Sequence, residues 1–252
     1  MTTTEPSHRR VARVAGVLYV LTFVSIPTLA LYGPVKSANY VLESGPDTAA
    51  IVGGILEIVV ALAGIGTAVT LFPILKKQNE SLALGLTAAR ILESATIFVG
   101  VAFLLSIVTL RTDGAGADSL VTSHALVALY DRIFLLGQSF MPAVCDLLLG
   151  YMLYQSRLVP RRLALIGIAG APLLVIGYLA VLFGAIDQHG GLAGLSALLV
   201  AAFEFSLGIW LIVKGFDPGA VAALERKRMP FEQTRSSVEA ARPVDGVPLA
   251  ST

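Results

Sequence analysis

The sequence predicts an all-α integral membrane protein, a bundle of six helices with both termini in the cytoplasm. Three observations predict this class: of the 252 residues 56% are hydrophobic, only 14% are charged, and the mean hydropathy is +0.80. Soluble domains carry about 45–50% apolar and about 25% charged residues. Because a folded surface in water needs polar cover, lipid is the expected main solvent and partner of this chain.

Six stretches are long enough to cross a bilayer, which takes about 20 mostly apolar residues. They run over 14–32, 49–75, 82–110, 134–155, 163–183 and 192–213. Glycine, proline and charged residues separate them, at 33–34, 45–46, 76–80, 112–116, 160–162 and 187–191. Residues 1–13 are expected to form a cytoplasmic tail. Residues 216–252 are expected to form a mostly disordered cytoplasmic tail, with a short amphipathic helix over 220–228 as the alternative.

The basic residues predict the orientation of the six helices. One side of the membrane would hold Arg9, Arg10, Arg13, Lys76, Lys77, Arg157, Arg161, Arg162, Lys214, Arg226, Lys227, Arg228, Arg235 and Arg242. The opposite side would hold only Lys36 and Arg111. Lys and Arg are concentrated in the cytoplasmic loops of membrane proteins. The side with most basic residues, which also carries both termini, is therefore predicted to be cytoplasmic. Arg9-Arg10 would also fit a cleaved signal peptide, but cleavage would leave an odd number of helices.

Several function classes receive no support from the sequence. A net charge of +1 gives no basic field, so nucleic acid is not an expected partner. The single cysteine, Cys145, allows no internal disulfide. His8, His124 and His189 fall in the N-terminal tail and on the outer side, so no metal site is predicted among them. Neither a cofactor nor a catalytic residue is predicted, which leaves enzymatic activity uncertain.

The informative residues are the ionisable ones inside the apolar stretches, because a charge at the bilayer centre costs about 2.5–3.5 kcal/mol. Arg90, Glu93, Asp146 and Glu204 fall at similar depth in the cytoplasmic half, while Glu57 falls nearer the outer face. Glu57, Asp146 and Glu204 lie on stripes of small residues at helical spacing, where helices approach closely. The stripes contain Gly53, Ala61, Gly64 and Ala68; Ser139, Pro142 and Gly150; and Ala197, Ala201 and Gly208. These five ionisable residues form the predicted intramembrane polar site.

This site has an excess of acidic groups, since four carboxyls face the single positive charge of Arg90. Glu93 is the simplest partner for Arg90 because it lies three residues further along the same helix. We therefore expect at least one of Asp146 and Glu204 to be protonated at neutral pH, or to be met by a bound cation or amine. The tyrosines at 19, 151 and 154 are interpreted as an interfacial aromatic belt, although Tyr19 is within reach of the cluster.

Four groups of segments, taken in their order along the chain, are similar to those of a known family. They are Arg9-Arg10 with Ala15-Gly16-Val17-Leu18-Tyr19, then Leu82-Ala83-Leu84-Gly85 with Arg90 and Glu93, then Leu149-Gly150-Tyr151 with Pro160-Arg161-Arg162-Leu163, and finally Glu204 with Leu207 to Gly215. In these segments the chain resembles the bacterial multi-pass membrane proteins of domain of unknown function 4386. The resemblance covers about Arg9 to Phe216 and implies a multi-pass fold in the plasma (inner) membrane. It implies no activity.

Three functional hypotheses remain open at this point. The first is a protein that binds or moves a small solute or proton through the buried arginine and carboxylate cluster. The second is a structural or accessory membrane protein in which the same charges only clamp helices together. The third is an intramembrane enzyme, for which no recognisable catalytic motif is present.

Overall fold

The structure, a computed structural model, describes residues 8–226, and its regular elements are helices throughout that range. The α-helices are α1 (His8–Thr22), α2 (Thr28–Leu31), α3 (Thr48–Leu75), α4 (Glu80–Thr112), α5 (Leu120–Phe134), α6 (Met141–Ser156), α7 (Arg161–Leu182), α8 (Gly191–Val213) and α9 (218–226). Short 3-10 turns occur at Phe23–Ser25, Pro34–Lys36, Tyr40–Leu42 and Gly116–Ser119. A π-helical segment, Leu135–Phe140, joins α5 to α6.

Within the described residues, five helices are long and apolar enough to cross a membrane. They are α3, α4, the continuous helix Gly116–Ser156, α7 and α8. Large apolar side chains lie on the outside of this bundle, among them Phe183 at 82% exposure and Leu192 at 65%. Such a surface suits lipid, where apolar exposure carries no penalty and helices satisfy their own backbone hydrogen bonds.

The first predicted span, 14–32, is not one uninterrupted helix. Helix α1 ends at Thr22 after 15 residues and is followed by the 3-10 turn Phe23–Ser25 and the short helix α2. Proline has no backbone N–H, so Pro27 leaves the carbonyl of Phe23 without its α-helical partner. The N–H of Ile26 donates to that carbonyl instead, at 3.1 Å, and this tightens the chain into a 3-10 turn.

The fourth predicted span, 134–155, belongs to a much longer helix. The helical run from Gly116 to Ser156 has 41 residues, or about 60 Å at 1.5 Å per residue. Its π segment ends next to Pro142, where the N–H of Met141 donates to the carbonyl of Gly137. A proline at this position removes one α-helical hydrogen bond, and a π segment is one way for a helix to absorb the loss.

Contacts at the two ends of the bundle fix which segments lie together. At one end, Glu225 contacts His8 at 3.0 Å and Lys77 at 3.4 Å, so the described N- and C-terminal helices meet there. Lys36 contacts Asp131 at 2.6 Å at the other end. Helix α9 packs on the first end through Val221 and Leu224, both buried. Residues 218–226 of the predicted tail are helical, in agreement with the alternative of a short helix over 220–228, and residues 227–252 lie outside the described residues.

A close helix contact positions the first helix against the last long one. A Cβ added at Gly16 would lie 2.6 Å from the carbonyl oxygen of Gly208, and one added at Gly208 would lie 3.1 Å from that of Gly16. Only glycine allows two helix backbones to approach so closely. This contact brings Tyr19 of α1 and Glu204 of α8 to the same side of α4.

Candidate functional site

Arg90 is the centre of a buried ionic cluster that joins three helices. It lies on α4 with 3% of its surface exposed. Its Nη1 donates to Glu93 Oε2 on the same helix at 3.1 Å, and its Nη2 pairs directly with Glu204 Oε1 on α8. The same Nη2 lies 3.9 Å from Asp146 Oδ1 on α6. The structure thus brings together four of the five predicted site residues.

Asp146 has the least favourable surroundings of the three carboxyls. Its exposure is 0%, and neither oxygen has a hydrogen-bond partner among the side chains and backbone of residues 8–226. Within residues 8–226, its one ionic contact is the long one to Arg90. An ionised carboxylate taken out of water without hydrogen bonds is costly, so this geometry suits a neutral carboxyl better than a charged one.

Two further side chains complete the cluster, and the sequence identified neither as a member. Cys145 Sγ donates to Glu93 Oε2 at 3.6 Å. The ring of Tyr19 lies 5.6 Å from the guanidinium carbon of Arg90, within range of a cation–π interaction. Tyr19 is 1% exposed and therefore belongs to the interior, not to an interfacial belt.

A cavity of about 240 Å³ lies beside Arg90, and we call it the inner cavity. Its ionisable lining residues are Arg90, Glu93 and Glu204, and neutral polar groups are added by Thr22, Ser25, Ser94 and Gln138. Larger apolar side chains and the 3-10 turn that follows α1 line the rest, together with small residues from the predicted stripes, among them Gly64, Pro142, Ala197 and Ala201. The ionic groups at its wall are one guanidinium and two carboxyls, and Asp146 lies behind them.

Glu57 is held apart from this cluster by neutral partners. It is 1% exposed and accepts hydrogen bonds from Tyr32 Oη at 3.2 Å, Tyr130 Oη at 3.5 Å and Gln138 Nε2 at 3.2 Å. No ion pair involves Glu57 in the described part of the chain. Its charge, where present, is therefore met at hydrogen-bond distance by three neutral donors, and the only cation that acts on it among the described residues, Lys36, does so without direct contact.

The three partners of Glu57 face two different cavities. Gln138 lines the inner cavity, whereas Tyr32 and Tyr130 line a second cavity of about 450 Å³, the outer cavity. Lys36 also lines the outer cavity, where its ammonium lies 5.0 Å from the centre of the Tyr130 ring. Glu57 thus stands between two spaces, each large enough for several water molecules or a small solute.

The partners of Glu57 were missed because their signals in the sequence are weak. Gln138 carries no charge that would mark it inside its apolar stretch, although a buried amide also needs a hydrogen-bond partner. Tyr32 is the last residue of the first predicted span, and Tyr130 lies outside the six predicted spans. A tyrosine is only mildly costly in lipid, so its position alone does not mark a site.

Outside the spans, one end of the bundle carries a second group of polar contacts. Tyr40 Oη donates to Asp47 Oδ1 at 2.5 Å, and Arg111 both pairs with Asp47 and stacks on Tyr40 with 4.0 Å to the ring centre. Burial and the hydrogen bond to Asp47 raise the pKa of Tyr40 to about 12, against the opposing charge of Arg111. These contacts tie the loop before α3 to the end of α4.

A metal-binding arrangement does not occur between residues 8 and 226: no three His, Cys, Asp or Glu side chains are grouped to hold an ion there. Each described histidine contacts a different residue. His8 contacts Glu225, His124 contacts the carbonyl of Ala38, and His189 contacts Lys36.

A bundle of apolar helices with its ionisable side chains gathered in the interior is consistent with a multi-pass membrane protein. The chain belongs to the family described as Domain of unknown function (DUF4386), whose model matches residues 14–215. The resemblance seen in the sequence is thereby confirmed. No curated protein and no solved structure matches the chain.

Proposed function

We propose that the chain is a polytopic protein of the bacterial plasma membrane that crosses the bilayer six times, with both termini in the cytoplasm. The end of the bundle that carries His8 and Glu225 also carries most of the basic residues, in accord with the positive-inside rule. The sixth crossing is the interrupted first stretch, since α1, the 3-10 turn and α2 together extend over residues 8–31. This length is about 36 Å at 1.5 Å per residue.

Labelling with a membrane-impermeant maleimide tests this topology. In a Cys145→Ala background, Glu43→Cys should react in intact cells, and Gln78→Cys should react only after the membrane is opened. Glu43 is exposed on the loop before α3, and Gln78 lies in the turn between α3 and α4. Equal labelling of both positions in intact cells would contradict the proposed orientation.

Within this topology, the inner cavity is proposed to bind a small cationic solute or to exchange protons. The observation that carries this proposal is the charge imbalance around Arg90: three carboxyls contact one guanidinium, and two of the three line the cavity. A buried excess of negative charge is relieved by a proton or by a bound cation. The small cavity volume restricts a solute to a few heavy atoms.

The carboxyls have different roles in this proposal. Glu93 and Glu204 present their oxygens to the cavity and to Arg90, so they are the groups that a cation would contact. Asp146 lies behind the guanidinium and carries the proton that keeps the cluster close to neutral. Arg90 acts as a positioning residue because it holds both cavity carboxyls in place.

Two measurements on the purified protein test these roles. Infrared spectra at neutral pH should show a protonated carboxyl band that disappears in Asp146→Asn. Thermal shift with a panel of small amines and alkali cations should show stabilisation that Glu204→Gln abolishes. Glu43→Gln is the matched control because it neutralises an exposed carboxylate far from the cavity, and it should retain both signals.

The alternative is a purely structural role, and one observation favours it: Arg90 connects α4, α6 and α8, as a clamp would. A clamp tolerates amides, which still hydrogen-bond. If Asp146→Asn and Glu204→Gln keep the stability of the wild type, and no cation stabilises the wild type at any pH, the clamp explains the cluster and binding is excluded.

A further inference from the structure

A second polar site lies at the end of the bundle that carries His8 and Glu225. It is a cleft of about 770 Å³ between the turn that joins α6 to α7 and the segment that joins α8 to α9. Its lining includes Arg157, Arg161, Trp210, Lys214 and Asp217. We call it the basic cleft, and it is separate from the inner cavity.

The walls of the basic cleft are held in place by buried contacts. Leu158 and Val159 anchor the turn in the core with exposures of 0% and 2%. The N–H of Asp217 donates to the carbonyl of Leu158 at 2.9 Å and so fastens the α8–α9 segment to this turn. The cleft is therefore defined by the fold and does not depend on the rotamers of long surface side chains alone.

Its three cations have no acidic partners in the part of the chain that the structure describes. Arg157, Arg161 and Lys214 make no ion pair within residues 8–226. The only carboxylate of the lining, that of Asp217, accepts the N–H of Ala220 at 2.8 Å and caps α9. Among the described residues, three positive charges thus line the cleft against the one negative charge of Asp217, which leaves the lining with a net positive charge.

Arg161 is also oriented before any ligand arrives. Its Nε donates to the carbonyl of Tyr154 at 3.2 Å, and its guanidinium stacks over the Tyr154 ring with 4.8 Å to the ring centre. These contacts use one nitrogen and one face of the guanidinium. Its two terminal nitrogens remain for an anion, and a planar guanidinium matches the oxygens of a phosphate.

We propose that the basic cleft binds the phosphate of an anionic phospholipid headgroup. Trp210 in its wall is the residue type that lies at the level of lipid headgroups, and basic pockets at the cytoplasmic ends of helices suit such headgroups. Arg157, Arg161 and Lys214 supply the charges, and the acyl chains run along the apolar outer faces of α7 and α8. This proposal is independent of the inner cavity.

Binding of short-chain lipids to the purified full chain in a neutral detergent tests the proposal. The probes are dioctanoyl-phosphatidylglycerol, dioctanoyl-phosphatidylcholine and inorganic phosphate, with dissociation constants measured by microscale thermophoresis. The anionic lipid should bind more tightly than the zwitterionic one. Loss of one cation should weaken it about fivefold, and Arg157→Gln/Arg161→Gln/Lys214→Gln about a hundredfold.

Arg162→Gln is the matched control. Arg162 follows Arg161, is equally exposed and carries the same charge, but it does not line the cleft. Its loss should change the affinity less than twofold. Equal losses for Arg161→Gln and Arg162→Gln would overturn the proposal, because they would indicate a general surface attraction without a discrete site.

Two further measurements show whether the ligand is a lipid or a soluble phosphate and keep the test valid if the triple variant does not fold. Inorganic phosphate that binds more tightly than phosphatidylglycerol would overturn the lipid assignment in favour of a soluble phosphate. Should the triple variant fail to fold, Arg157→Gly replaces it, because Arg157 has the left-handed backbone conformation (φ 58°) that glycine prefers. This variant should fold at least as well as the wild type and still lose about fivefold in affinity; unchanged affinity would contradict the proposal.

Discussion

The two buried polar clusters of the bundle satisfy their carboxyls in different ways. Around Arg90, three carboxyls share one guanidinium, and one of them has no hydrogen bond in the described residues. Around Glu57, one carboxyl receives three hydrogen bonds from neutral donors. The Arg90 cluster thus has more carboxyl groups than positive charges. The Glu57 cluster has three hydrogen-bond donors for one carboxyl group.

This difference determines what each cluster contributes. The Arg90 cluster joins α4, α6 and α8 by charge, so its strength depends on protonation and on any cation in the inner cavity. The Glu57 cluster connects α3 to the segment after α2, to α5 and to the π segment through neutral hydrogen bonds. Through these partners Glu57 also connects residues of the outer cavity, Tyr32 and Tyr130, to Gln138 of the inner one.

The largest expected difference in stability arises when one charged residue of each cluster is replaced by glutamine. Arg90→Gln leaves three carboxyls without a cation, and loss of one partner in a buried ionic group costs about 3–5 kcal/mol. Glu57→Gln keeps an acceptor for its donors and should cost about 1 kcal/mol. Reversible unfolding of both variants in mixed detergent and dodecyl sulfate micelles measures the two free energies.

Comparable losses in these two variants would contradict the contrast between the clusters. Arg90→Lys is a useful companion variant because it keeps the charge but loses the fork that reaches Glu93 and Glu204 together. It should fall between the wild type and Arg90→Gln.

A smaller difference is expected when each cluster is disturbed through a neighbouring glycine. A Cβ at Gly16 would meet the backbone of α8, 2.6 Å from the carbonyl oxygen of Gly208, and would separate the helices that hold Tyr19 and Glu204. A Cβ at Gly53 would meet the ring of Tyr32 at 2.7 Å, and a side chain can rotate away. Overpacking of this kind costs about 1–3 kcal/mol.

Gly16→Ala should therefore lie at the upper end of that range and Gly53→Ala at the lower end, as measured by thermal unfolding in the same detergent. Gly194→Ala is the control, because a Cβ added there meets no atom within 4 Å. A Gly53→Ala loss that exceeds the Gly16→Ala loss would show that Tyr32 is fixed more rigidly than the contact between α1 and α8.

The sequence predicts the charged cluster better than the neutral one, for a physical reason. Charged side chains are costly in lipid, so the similar depth of Arg90, Glu93, Asp146 and Glu204 was enough to predict one polar site. The small-residue stripes of Asp146 and Glu204 agreed with this prediction. Tyrosine and glutamine carry no charge, so the free-energy cost of placing them in or near a span is too small to restrict their positions. The partners of Glu57 were therefore identified only from the packing of the helices in the structure.

The same contrast holds for the fold. Apolar length predicted the long helices, whose ends fall within two residues of the predicted stretches for α3, α4, α7 and α8. The interrupted first stretch and the π segment depend on how the backbone accommodates Pro27 and Pro142. The sequence shows that each proline removes one backbone hydrogen bond. Packing against neighbouring helices determines whether the helix responds with a 3-10 turn, a π segment or a kink.

The smallest expected effect concerns a solvent-exposed ion pair, which tests whether charge matters less outside the bundle than around Arg90. Glu225 contacts Lys77 and His8, and although partial desolvation opposes them, these partners lower the pKa of Glu225 below its ordinary value of 4.5. Its ionised form is thus favoured in the fold, so this stabilisation is present above pH 4.5 and is lost as the pH falls through the lowered pKa. Because the Glu225 side chain is 42% exposed, solvent screening keeps the contribution small.

The unfolding midpoints of the wild type and Glu225→Gln should converge at acidic pH. Glu43→Gln is the control and should follow the wild type. A constant difference between Glu225→Gln and the wild type at every pH would contradict the ionic origin of the contact.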